Sequence, residues 1–78
     1  MAETIFTYDL RGLKCPLVLL KTRKKKAELS PEITLVIVSD DPWAPLDIAN
    51  YCQKHNYAFE KRVENGIHHL SIISKKPT

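Results

Sequence analysis

The sequence predicts an α/β fold: a two-layer α/β sandwich of order β-α-β-α-β-β, with both helices on one face of a four-stranded mixed sheet. Three observations predict it. Ile33 to Ser39 is an almost unbroken β-branched run, as expected of a central strand joined to its neighbour by a helical crossover. Prolines mark two helix starts, Pro16 after Cys15 and Pro45 after Asp40-Asp41, where a missing backbone N–H leaves nothing unpaired. Asn65-Gly66 divides two strand-like runs, and this pair suits the positive φ that a type I′ hairpin turn requires at both central residues.

Each element follows from local chemistry. Ile5 to Leu10 mixes β-branched and aromatic side chains and stops at Arg11-Gly12, which reads as a strand and a turn. The first helix should run from Pro16 to Leu29 and end at Ser30-Pro31, since proline disfavours the helical region in the residue before it. Two faces compete to point inward, Leu19, Thr22, Lys26 and Leu29, or Pro16, Leu20, Arg23 and Ala27, and each carries a cation. The first is favoured, with the Lys26 stem lying on the sheet and its ammonium reaching water. After the Ile33–Ser39 strand, an aspartate of Asp40-Asp41 should cap the second helix, which buries Ile48, Ala49 and Cys52 and stops near Asn56. Tyr57 to Glu64 and Ile67 to Ser74 form the closing hairpin, and Lys75 to Thr78 is a polar tail.

With 78 residues, 44% of them apolar, the chain suffices for one domain, residues 1–78, and leaves no room for a second. Its longest apolar stretches, Leu17 to Leu20 and Leu35 to Val38, are far shorter than the roughly 18 residues that cross a bilayer. No secretion signal is recognisable, so a cytoplasmic location is expected, with both cysteines kept as thiols. The net charge is +3, but seven of the twelve cations lie between Arg11 and Lys26 with no acidic residue among them. Arg23, Lys24, Lys25 and Lys26 therefore read either as a solvated helix face or as a docking surface for an acidic protein or an RNA backbone.

The two cysteines are not equivalent. Cys15 falls at the expected N-terminus of the first helix, where free N–H groups and the helix dipole favour an anion, and Lys14 and Arg11 add positive charge. These features lower a thiol pKa from its usual value near ~8.5, so Cys15 is the candidate nucleophile. Cys52 follows Ile48 at helical spacing and reads as a small core residue. Asp9 and Asp41 lie near the same sheet edge and read as turn and cap residues. His55, His68 and His69 with two distant cysteines do not make a metal site, and two glycines cannot make a phosphate loop.

Asp9-Leu10-Arg11-Gly12-Leu13-Lys14-Cys15-Pro16 resembles the signature of the TusA/SirA-like family of small sulfur-carrier proteins, which places Cys-Pro-x-Pro at the start of its first helix. Lys21-Thr22-Arg23-Lys24, Asp40-Asp41-Pro42, Asp47-Ile48 and Cys52 are also similar, as are element order and length. Val18 stands where the family has its second proline, which restores a backbone donor and some freedom to the first turn. The resemblance implies Cys15 as the persulfide site, with Arg11, Gly12, Lys14, Pro16, Asp9 and Asp41 around it. No cofactor is implied beyond the covalent persulfide. It also implies a protein sulfur donor and a protein acceptor, with tRNA nearby in some pathways; a monomer without membrane contact is expected. The alternative is a non-enzymatic RNA- or protein-binding or regulatory module, since a small α/β sandwich with a basic helix also resembles the C-terminal domain of translation initiation factor 3.

Overall fold

A computed structural model describes residues 4–14, 16–30 and 32–74. The elements are β1 (Thr4–Asp9), α1 (Leu17–Glu28), β2 (Ile33–Ser39), α2 (Ala44–Lys54), β3 (Tyr57–Glu64) and β4 (Ile67–Ser74). β1 pairs parallel to β2, and the sheet continues antiparallel through β4 to β3. The expected mixed sheet is thus present, with the last strand in the chain inserted beside β2. Composition explains the placement. β4 offers Leu70 and Ile72 to the interior, whereas β3 carries Glu60, Lys61, Arg62 and Glu64, charges that suit a sheet edge.

Side chains alternate across the pleat, so Leu35 and Ile37 of β2 share a face with Leu70 and Ile72 of β4. These four meet Val18 of α1 and Ile48 and Cys52 of α2 in one core cluster, which sets both helices on the same face. Asn65 (φ 52°) and Gly66 (φ 77°) both adopt the left-handed conformation expected of their turn. Asn56 (φ 60°) likewise stops α2 where the sequence indicated.

The favoured face of α1 is the buried one. Thr22 is fully enclosed, its hydroxyl donating to the Val18 carbonyl at 2.7 Å, while Leu19 and Leu29 pack against the core. Pro16, Leu20, Arg23 and Ala27 are exposed. Two boundary expectations need correction. Pro16 is the N-cap and not the first helical residue, so α1 begins one position later. At α2 the N-cap is Trp43 and not an aspartate. Asp41 instead acts two residues earlier, its carboxylate accepting the Trp43 N–H at 3.2 Å while its own N–H donates to Ser39 Oγ at 3.1 Å. Ala49 is only half buried. Pro31, the expected helix stop, and the tail at Lys75 to Thr78 lie outside the described residues.

Lys26 is held more closely than its sequence position indicates. It is 5% exposed, and its ammonium donates to Ser74 Oγ and lies 4.9 Å from the centre of the Tyr57 ring. Tyr57 and Ser74 are paired across the β3–β4 hairpin, so the fold supplies an acceptor and a ring face where the sequence offered only solvent. Desolvation pushes the Lys26 pKa down. Lys26→Met should keep the packed stem and remove a buried charge, leaving stability within about 1 kcal/mol of the parent or raising it. Lys26→Ala should lose roughly 2 kcal/mol through the cavity it leaves. Urea denaturation of the two variants checks this, and a large loss in Lys26→Met would show that the ammonium contacts hold the hairpin to α1.

Candidate functional site

The site is built where β1 hands over to α1. Leu10 continues the β1–β2 ladder, its N–H donating to the Val38 carbonyl at 2.8 Å, and its side chain is buried. The chain then turns twice. Leu13 N–H reaches the Leu10 carbonyl at 3.2 Å, and Leu17 N–H reaches the Lys14 carbonyl at 2.8 Å. Gly12 holds φ 90°, a conformation costly for any residue with a Cβ, and donates its N–H to Asp40 Oδ1 at 3.1 Å. That bond ties the β1–α1 loop to the β2–α2 loop at the sheet edge shared by Asp9 and Asp41.

Cys15 lies outside the described residues. Its neighbours in the chain, Lys14 and Pro16, are both exposed. Arg11 does not stand ready beside it as free positive charge. Its guanidinium grips Asp9 through both carboxylate oxygens, Nη2 to Oδ2 at 2.8 Å and Nε to Oδ1 at 3.0 Å, and its backbone N–H adds a third anchor at 3.1 Å. The guanidinium beside Asp9 holds that carboxyl below its usual range, and Asp9 raises Arg11 in turn. The pair is exposed, and Asp40 adds a weaker attraction on Arg11; Lys14, the other cation of this loop, is exposed and makes no ion pair among the described residues. Asp41, almost fully buried, organises the turn into α2.

The basic run of α1 does not form one surface, because consecutive helical residues point about 100° apart. Arg23 faces a groove between the helices with Asp47, Tyr51, Lys54 and His55. Lys24 turns toward β1. Lys25 pairs with Glu28 at 3.3 Å and covers the rings of Phe6 and Tyr8, and Lys26 is enclosed. Of the four cations in the expected docking run, Arg23 and Lys24 are exposed on separate faces, Lys25 is half buried and paired, and Lys26 is buried. Sequence reasoning also missed residues here. Val18, read only as a missing proline, is the residue by which the first turn of α1 enters the core. Leu17 (48% exposed) and Leu20 (51%) present apolar surface beside Lys21 and Lys24, and their spacing of three was the available signal. Trp43, Leu46 and Val63 form a second exposed apolar patch near the start of α2.

Cys52 is 1% exposed, and burial pushes its thiol from 9.0 up to about 11, opposed by the nearby Lys26 ammonium. Burial, and then Tyr57, pushes Tyr51 up to about 12. Both groups stay protonated in the folded chain after the unfolded chain has released its proton, so stability falls as pH rises through these ranges. Lys26 has the opposite sign, favouring the folded state as pH rises toward the ordinary lysine value. Cys52→Ala should therefore flatten the alkaline decline, recovering roughly 2–3 kcal/mol between about pH 8 and pH 11 relative to its own neutral stability. Urea unfolding at the two pH values measures it, and parallel declines in parent and variant would contradict the assignment.

The family sequence profile described as sulfurtransferase TusA matches residues 6–75. This chain belongs to the TusA family. Its fold is also that of a SirA-like protein from Desulfitobacterium hafniense, whose crystal structure superposes with a TM-score of 0.78 at 20% identity, over 94% of this chain and all of that one. As a TusA-family chain it has a general role in sulfur carriage, and the matched residues include the β1–α1 connection described above. None of its helices, among the described residues, is long and apolar enough to cross a membrane.

Proposed function

We propose that this chain is a sulfur carrier that takes persulfide sulfur on Cys15 from a protein donor and passes it to a protein acceptor. The observation that carries the reading is the contrast between its two cysteines. Cys52 is enclosed in the core with its thiol pushed to about 11, and Cys15 falls between exposed residues in the loop that bears the family signature. The reaction needs no cofactor. The Cys15 thiolate attacks the outer sulfur of the donor persulfide, a new S–S bond forms on Cys15, the donor's S–S bond breaks, and the donor cysteine leaves as thiolate. An acceptor thiolate then attacks the outer sulfur of Cys15–S–SH and releases Cys15 unchanged. Two displacements at sulfur balance without an external oxidant.

The donor fits a cysteine desulfurase or a rhodanese-like protein in the reducing cytoplasm, and the acceptor a protein of tRNA thiolation, cofactor assembly or sulfur metabolism. Lys14 supplies positive charge beside the thiolate. Leu17, Leu20 and Lys24 give the donor an apolar and basic surface on α1, and the carrier works as a monomer. Incubation with a desulfurase and cysteine, followed by mass spectrometry of the intact chain and of its peptides, tests the reading. One added sulfur atom on the Cys15 peptide is expected, removable by a thiol reductant. No addition with any of several donors, or addition at Cys52, would overturn it.

A further inference from the structure

The two edges of the sheet are built differently. β3 carries Glu60, Lys61, Arg62 and Glu64, the kind of charged edge that resists pairing with another strand. β1 has no charge from Thr4 to Tyr8, and its side chains are exposed or half buried along that length. Its hydrogen-bonding direction follows from the ladder. Leu10 N–H donates to Val38 on β2, so by alternation Tyr8, Phe6 and Thr4 also face β2, while Ile5 and Thr7 aim N–H and C=O away from the sheet. Beyond β1 there is no further strand among the described residues.

The surroundings of this edge have a definite chemistry on each side. On the helix face, Lys21, Lys24 and Lys25 line a small groove with Tyr8, in which Glu28 is the single acid. Phe6 lies on that same face. On the bare face, Ile5 (57% exposed) and Thr7 adjoin Val36 and Val38 of β2. A strand laid against β1 would place alternate side chains in these two settings, acidic ones among the lysines and β-branched ones beside Ile5 and Thr7.

We propose that the β1 edge is a docking site for an extended acidic segment of a partner protein, added as a fifth strand through the outward N–H and C=O groups of Ile5 and Thr7. A second copy of this chain fits less well. Antiparallel pairing of two β1 strands sets both α1 helices on the same face, and brings two groups of lysines together. The backbone bonds supply register and affinity, and the lysines select sign, as in other cases of strand addition. The site shares Lys24 with the proposed donor surface but does not use Cys15, so binding should be equal in the parent and in Cys15→Ser, and its failure would leave sulfur transfer through Cys15 untouched.

The test uses the full chain, labelled with nitrogen-15, and a synthetic peptide alternating glutamate and valine. On titration the Ile5 and Thr7 amides should shift and become protected from hydrogen exchange, while Phe6 and Tyr8, already bonded to β2, change little in protection. Thr7→Pro removes an outward donor and spares the β1–β2 bonds, so it should abolish binding while the fold persists. Lys21→Glu with Lys24→Glu, at exposed helical positions, should weaken binding by about tenfold or more. The proposal is overturned if the Ile5 and Thr7 amides do not respond, or if a lysine-for-glutamate peptide binds as well. Sedimentation showing self-pairing through β1, or the same amides responding to an RNA oligonucleotide and not to the peptide, would also overturn it.

Discussion

Cys15→Ser is expected to reduce sulfur passage from a donor persulfide to an acceptor thiol to the rate seen without the protein, while Cys52→Ala leaves it nearly unchanged. In the proposed cycle both displacements use the same sulfur atom, so no partial activity should survive its removal. A serine hydroxyl remains protonated at neutral pH and is a poor nucleophile toward sulfane sulfur. Cys52 cannot substitute, because a donor would have to open the core to reach it and its thiol ionises only near pH 11. Alkylation of Cys15 should follow a midpoint below the ordinary ~8.5, set by Lys14 and the start of α1. Arg11 contributes little to that shift, since Asp9 already matches its charge. Single-turnover transfer from a loaded desulfurase, followed by mass, measures the effect. Transfer by Cys15→Ser at the parent rate would remove the carrier reading, and an ordinary Cys15 titration would remove the electrostatic part of it.

The parts of the fold that local chemistry dictates were legible in the sequence. Asn65-Gly66 specifies its own turn by backbone sterics, and Ile33–Ser39 specifies a buried strand by composition, so both fall where expected. The start of α1 lies one residue later because Pro16 suits the cap as well as the first turn, and Asp41 serves α2 from two residues before its cap. What could not be read is set by contacts between distant segments. Lys26 is enclosed only because Tyr57 and Ser74 come together across a hairpin thirty or more residues away in the chain. The same holds for the candidate site. Asp9 and Arg11 were each singled out, but their mutual grip needs only two residues' separation and a turn, and it changes the role of the arginine. Gly12 reads in the sequence as a turn residue, whereas its tie to Asp40 across the sheet edge depends on both loops being in place.

Leu70→Ala should be among the most damaging single truncations in the core. Leu70 is fully enclosed on β4, opposite Ile37 of β2 on one side and Lys61 of β3 on the other, and it belongs to the cluster that receives Ile48 and Cys52. Because β4 is an interior strand fixed on both sides by ladder bonds, the sheet cannot close over the vacated volume. The cost should therefore reach about 3 kcal/mol, transfer and cavity combined. A domain of this size has on the order of 4–12 kcal/mol in all, so the loss approaches a large fraction of its stability and lowers the melting temperature by roughly 10–20 °C. Val63→Ala is the control. Val63 lies half exposed on the edge strand and should cost less than about 0.5 kcal/mol. Urea denaturation with a common slope separates the two cases. Near-equal losses would mean that the β2–β4 contact is not the centre of the core, and that the charged β3 edge contributes more to stability than its exposure implies.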